Sequence, residues 1–122
     1  MQYFLFKEFD SPDLPNSGRN MDPNFLELLD YARTVAGIPF KITSGYRTKA
    51  HNEALKAKGY SASPNSSHCK GLAVDISIPD SITRFKILTA LVEAGFTRIG
   101  ISDNFIHVDA DRDKAQGVIW TY

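Results

Sequence analysis

Three histidines and one mid-strand carboxylate are the residues of this chain best suited to chemistry. His68 closes a polar loop behind Ser66 and Ser67, and Asp75 follows inside the alternating run of residues 71–78. Period two puts Leu72, Val74 and Ile76 on one face of that run and Ala73, Asp75 and Ser77 on the other. An ionised carboxylate there is costly if dry and unpaired, so Asp75 needs a metal cation, hydrogen-bond donors, or an Arg or Lys. His107 raises the same question, standing between Ile106 and Val108 on the face of Phe105 and Asp109. Two imidazoles and one carboxylate are ligands of the kind that hold catalytic zinc, where a fourth position stays open to water. Spacing alone leaves two alternatives open: unrelated polar side chains with ordinary hydrogen bonds, or a metal-free domain with Asp75 paired to Arg47. The third histidine, His51, falls on a predicted helix surface, where imidazoles are commonly just solvated.

The elements that position these groups are legible from caps and periodicity. Asp22-Pro23 reads as an N-cap with a first-turn proline. Phe25, Leu28, Leu29, Ala32, Val35 and Ala36 then repeat at three and four until Gly37. Residues 38–43 alternate and predict a strand ending at Ser44-Gly45. Thr48 caps a second predicted helix that carries His51 and Glu53 to Lys58, with Gly59 as its stop. Residues 60–67 form a polar loop and 71–78 a strand. Pro79-Asp80-Ser81 opens a third helix, whose Ile82, Phe85, Leu88, Leu91 and Val92 are expected to face inward until Gly95. Residues 97–101 and 105–109, joined by Ser102-Asp103-Asn104, predict an antiparallel hairpin. Trp120 and Tyr122, after Gly117-Val118-Ile119, are expected to pack on the core as a final strand, a groove-lining role being the alternative. Residues 1–21 read as an irregular arm pinned by Tyr3, Phe4, Phe6 and Phe9. The expected fold is α+β: one domain over 1–122, with a small, mainly antiparallel sheet flanked by helices.

Composition excludes several classes. At 122 residues the chain has one core's worth of sequence, and about two thirds of its surface can be buried without covalent staples. Lys+Arg 14 against Asp+Glu 14 gives no basic surplus for a nucleic-acid backbone. The single cysteine, Cys69, rules out an internal disulfide and a zinc-finger cluster, so any metal site must use nitrogen and oxygen ligands. As a nucleophile Cys69 lacks an orienting partner. No apolar run is long enough to span a bilayer, so no membrane insertion is expected. The N-terminus shows no signal-peptide pattern, which predicts a cytoplasmic product as synthesised.

Four strings stand in order: Ser44-Gly45-Tyr46-Arg47 with His51-Asn52 after it; residues 66–75 in the pattern S-x-H-x-x-G-x-A-x-D; residues 95–101; and Phe105-Ile106-His107-Val108-Asp109. In these, over residues 22–112, the chain resembles the M15 peptidases. These are zinc D-alanyl-D-alanine carboxypeptidases and related peptidoglycan endopeptidases, and the small phage and prophage members are the most similar. The resemblance implies a fold shared with the Hedgehog signalling domain, and one zinc ion held by His68, Asp75 and His107. It implies that Arg47 binds substrate or polarises its carbonyl. Ser66 matches the motif serine and is expected to hold substrate or the loop, with His51 a further substrate-binding candidate. The implied activity is hydrolysis of peptidoglycan stem peptides or cross-links by a monomer, reaching the wall by a phage-type route.

One position departs from the pattern. Several relatives carry an acid three places before the second histidine ligand, and here that place is Asn104, which cannot take a proton from water. Asp109, on the His107 face, is the expected general base ahead of Asp103 and Glu53. Its alternative role is to accept the second imidazole N–H of His107 or to pair with Arg112. The same departure keeps open a second function, a zinc-binding module with weak or no turnover that binds cell wall or a protein partner.

Overall fold

Each α-helix begins where a side-chain oxygen can cap it. Asp22 accepts from the Phe25 N–H at 2.9 Å to open α1 (Pro23–Ala36), with Pro23 in the first turn. Thr48 accepts from the His51 N–H at 3.0 Å to open α2 (Lys49–Ala57). Asp80 accepts from the Thr83 N–H at 2.7 Å to open α3 (Ser81–Ala94). The computed structural model describes residues 1–60 and 62–122; Ser61, in the loop expected over 60–67, lies outside the described residues. No helix among the described residues is long and apolar enough to cross a membrane.

Five strands, β1 (Ile42–Ser44), β2 (Ala73–Ser77), β3 (Arg98–Ile101), β4 (Phe105–Asp109) and β5 (Val118–Thr121), form one sheet in the order β1-β2-β4-β3-β5. All pairings are antiparallel except β3 with β5. The hairpin expected from the polar Ser102-Asp103-Asn104 link is β3–β4. The strand expected over 38–43 is shorter and later. Pro39 has no N–H to give a ladder and Phe40 turns into the core, so bonding to β2 begins at the Lys41 carbonyl, which accepts from Ser77 N at 2.8 Å, and the strand itself at Ile42.

Helices cover one face of the sheet. Val74, Ile76, Ile99, Ile106 and Val108 pack there with Phe25 and Leu29 of α1 and Ile87 and Leu91 of α3. The inward stripe expected of α3 is corrected. Leu91 is buried and Leu88 packs against the core, but Ile82 (72% exposed), Phe85 (69%) and Val92 face solvent, while Ile87 and Ala90 are buried. This helix carries apolar residues on two sides, so periodicity could not choose between them.

Register fixes what the open face carries. Ser44 lies opposite Asp75, Asp75 opposite His107, His107 opposite Gly100, and Gly100 opposite Trp120. One row thus crosses all five strands and gathers residues scattered over the sequence.

The N-terminal arm forms two 3-10 turns, Phe6–Phe9 and Ser17–Asn20. Phe4 and Phe9 are buried with ring centroids 5.5 Å apart. Tyr3 and Phe6 stay exposed, each under a guanidinium, from Arg33 and Arg19. The arm also holds the segment before α2: Phe9 O accepts from Tyr46 N at 2.8 Å, and Thr48 Oγ1 donates to Asp13 at 2.7 Å.

The 3-10 turn Ser67–Lys70 ends at Gly71 in the left-handed region, φ 72°. A Cβ there would press on the Asn20 carbonyl oxygen and Met21 Cα. Gly71→Ala is therefore expected to cost about 1–3 kcal/mol from backbone strain, before any clash. Urea unfolding of the variant measures it, and an unchanged midpoint would show that the turn relaxes freely.

Candidate active site

Asp75 sits mid-sheet with its two oxygens turned to different partners. Oδ1 lies 3.0 Å from His107 Nδ1 and 3.3 Å from His68 Nε2, while Oδ2 faces Arg47 Nη2 at 3.5 Å. Ligand atoms of His68, Asp75 and His107 all lie within 4.8 Å of one another. The imidazoles meet edge to face, centroids 5.2 Å apart.

The outer nitrogen of each ring decides what the inner one offers. His68 Nδ1 is 2.8 Å from Gly45 O, which can only accept, so Nδ1 holds the proton. Burial disfavours a charged His68 more strongly than Asp75 favours it, leaving its pKa below the usual value and a lone pair on Nε2. His107 Nε2 donates to Asp109 Oδ2 at 2.7 Å. Neutral His107 therefore presents a lone pair from Nδ1 as well, and three acceptors converge on one point. That arrangement repels unless a cation sits among them. Lacking a metal, one proton on His107 is the available remedy. Burial opposes it, but Asp109 and Asp75 prevail and raise the pKa. Burial alone would raise Asp75, yet the hydrogen bond from protonated His107 holds it well below the carboxylate range. The donor set, two imidazole nitrogens and one carboxylate with the outer nitrogens engaged, fits zinc.

Around this point lies an open cavity of about 790 Å³. Arg47 enters it from the segment before α2, held by Ser44 Oγ at 3.1 Å and Asn52 Oδ1 at 3.4 Å. Buried Asn52 in turn donates to Ser63 O at 2.9 Å. Ser66 caps the His68 turn, its hydroxyl accepting from His68 N at 3.3 Å, and lines the cavity, as does half-buried His51. Trp120 forms the opposite wall, 5.5 Å from the His107 ring and under the Arg98 guanidinium at 4.9 Å. Gly100 makes that possible, since a Cβ on it would meet Trp120 Nε1 at 2.5 Å. Trp120 is thus a strand residue and a cavity wall, outside the main apolar core. Tyr122 also lines the cavity, against Phe105 at 5.2 Å.

Among the carboxylates expected to serve as base, Glu53 and Asp103 are exposed and off the cavity wall. Asp109 is buried beside the far nitrogen of His107; Oδ1 accepts from Arg98 Nε at 2.7 Å and from the Asp111 N–H at 3.1 Å. Its salt-bridge partner is Arg98, and Arg112 is exposed. Burial pushes the Cys69 thiol up, away from thiolate chemistry. Sequence reasoning missed Asn52, Arg98 and Asp111. Asn52 follows His51 directly, and Arg98 falls in the quoted 95–101 string, so both were within reach.

The α+β sheet devotes one face to packing and the other to a His–Asp–His cluster beside a guanidinium, a donor set able to hold a catalytic metal. The chain belongs to the peptidase M15 family, whose family model matches residues 9–109. The solved structure of the Serratia marcescens L-Ala D-Glu endopeptidase ChiX is similar in fold, with a TM-score of 0.55 at 23% identity. The match covers 62% of this chain and 62% of the endopeptidase, less than two thirds of its length. No curated protein sequence matches significantly.

Two outcomes test this geometry. The chain has one tryptophan, so Gly100→Ala should shift Trp120 emission to the red as the ring leaves its slot; an unaltered spectrum would contradict the close packing. Burial alone would raise the Asp111 pKa, but the Ser67 hydroxyl and Lys70 outweigh it and hold the carboxyl at about 2. Its folded value is depressed, so its stabilisation is full above the unfolded carboxylate value and fades as pH falls toward 2. Between pH 4.5 and 2.5, wild type should lose more urea stability than Asp111→Asn; equal losses would show that Asp111 is not ion-paired.

Proposed function

We propose that the chain is a zinc-dependent peptidase that hydrolyses peptide bonds in peptidoglycan stem peptides or their cross-links. The observation that carries this reading is the convergence of His68 Nε2, Asp75 Oδ1 and His107 Nδ1, three ligand atoms of the type zinc prefers, of which His107 Nδ1 would give up its proton to the ion. Peptidase family membership supports the reaction class. The peptidoglycan substrate is taken from the family resemblance, and the L-Ala D-Glu bond named for the fold relative is the first to assay.

His68, Asp75 and His107 would hold the ion. When bound, zinc supplies Lewis acidity toward a carbonyl and makes water nucleophilic near neutral pH. The chain's own residues do the rest. Arg47 presents guanidinium N–H groups to the cavity, placed to bind a substrate carbonyl or carboxylate oxygen. Trp120 and Tyr122 offer an apolar wall for the substrate backbone, while His51 and Ser66 line the cavity beside Arg47. Asp109 is assigned here to orienting His107, in place of the expected proton transfer, because it accepts from the ring nitrogen that faces away from Asp75.

One observation favours a second reading. Among the described residues the carboxylates lining the cavity are Asp75 and Asp109, and both are already engaged. A zinc-binding module that recognises cell wall with little turnover would show that pattern.

Purified wall and muropeptides separate the two. Chelator should abolish hydrolysis and zinc restore it, and His68→Ala or Asp75→Ala should lower kcat/KM by at least about 10³-fold, as for loss of a main catalytic group. Arg47→Ala should cost about 10²–10³-fold, mainly in kcat. Metal-loaded protein that binds wall without cleaving it would establish the module, and protein that takes up no zinc would end both readings.

A further inference from the structure

Asp111 lies just past β4, outside the residues matched by the family, and it is the most deeply buried charge away from the His–Asp–His cluster. Its side chain is 1% exposed. Oδ2 accepts from Ser67 Oγ at 2.7 Å, and Lys70 Nζ reaches both oxygens, at 3.0 and 2.9 Å. Ser67 and Lys70 are the two ends of the 3-10 turn that carries His68. The Asp111 N–H also donates to Asp109 Oδ1, and Asp109 Oδ2 accepts from His107 Nε2. One residue thus grips the turn bearing the first histidine and the carboxylate orienting the second.

We propose that Asp111 is a positioning residue for the metal site, clamping the Ser67–Lys70 turn to the end of β4 so that His68 and His107 are held at a fixed separation. The proposal rests on the zinc reading above. Charge balance alone does not account for the placement. Lys70 has a second partner in the exposed carboxylate of Asp113 at 3.2 Å, so it could be neutralised at the surface. Surface pairing would avoid the desolvation of a buried carboxylate. Besides accepting from the Asp113 N–H at 3.2 Å and facing Lys114 Nζ at 3.5 Å, the buried position supplies the bond to Ser67, the neighbour of His68. Lys114 Nζ donates to Ser67 Oγ at 2.9 Å and to Asn65 O at 2.8 Å, so the same hydroxyl is fixed from both sides. A carboxylate accepts the Ser67 hydroxyl proton while that oxygen accepts from Lys114, which sets the hydroxyl orientation as well.

The test is zinc affinity of the full chain, read by competition with a chromophoric chelator, together with the visible spectrum of the cobalt-substituted protein. Asp111→Asn and Ser67→Ala should each weaken zinc binding by about 10-fold, the low end of the effect of removing a direct partner of a metal ligand because each acts one bond further out, and should alter the cobalt bands. The double variant should bind about as weakly as the worse single one, since both remove one link. Leu88→Ala, a truncation on α3 away from the site, should lower thermal stability yet leave zinc affinity within about 3-fold, because distant sites act independently. Circular dichroism confirms folding of each variant, and Ser67→Ala carries the test if Asp111→Asn does not fold. Wild-type binding with unchanged affinity and cobalt spectrum in the folded variants overturns the proposal alone. Wild-type protein that binds no zinc overturns the zinc reading and this proposal with it.

Discussion

An oxygen of a mid-sheet carboxylate placed between two imidazole nitrogens creates an electrostatic demand that the fold has to meet. Asp75 Oδ1 cannot be left dry beside two lone pairs. The rings cannot turn away, because Gly45 O and Asp109 hold their outer nitrogens. A proton on His107 answers the demand in the bare chain, and a metal ion would answer it more completely, since all three atoms could hold it. The same features that make the cluster unfavourable when empty of charge make it receptive to a cation. Site and stability are therefore set by one arrangement, with α1 and α3 burying enough apolar surface on the opposite face to tolerate it.

The sheet solves the placement problem through register. Ser44, Asp75, His107, Gly100 and Trp120 come from five strands, yet they fall in one row because their Cα atoms are paired strand to strand. A slip of one residue in β2 or β4 would turn Asp75 or His107 into the apolar core. Such a slip would also bring Val74 or Val108 to the open face, so the hydrophobic pattern and the site enforce the same register. Gly100 is the counterpart of Asp75 and His107 in this row. Its missing side chain leaves the space that Trp120 fills, bringing an aromatic ring beside His107.

Much of this was readable from local chemistry. Asp22, Thr48 and Asp80 cap helices through contacts that span three residues, and alternation assigns Asp75 and His107 to faces opposite Val74 and Val108. Sequence could also bring together the ligand types, because the strings around them resemble a known family. What escaped depended on partners distant in the chain. The inward stripe of α3 could not be chosen, since Ile82 and Phe85 look as apolar as Ile87 and Ala90 until α1 is placed against them. Strand β5 joins β3 in parallel, a pairing that no turn signal announces. The arm over 1–21 looked like a tether, yet Phe9, Ser11 and Asp13 hold the segment from Tyr46 to Thr48 through backbone and hydroxyl bonds. Asp111 lay beyond the recognisable strings, and its importance arises only when the Ser67–Lys70 turn is brought to it.

Arg47 shows how these distant supports bear on chemistry. Its guanidinium bonds Ser44 at 3.1 Å, within the ordinary range, while its contacts to Asn52 and Asp75, at 3.4 and 3.5 Å, are long. The end of the group that faces Asp75 is thus weakly held, and its position depends on the backbone beneath it. That backbone is tied on both flanks. Tyr46 N donates to Phe9 O at 2.8 Å, Arg47 N donates to His68 O at 3.2 Å, and Thr48 is bonded to Ser11 and Asp13. A rigid main chain carrying a loosely held guanidinium suits a group that exchanges one anionic partner for another. On the proposed function, its donors would leave Asp75 for a substrate oxygen without moving the segment that carries them. The arm thereby belongs to the site, because it fixes the point from which Arg47 reaches into the cavity.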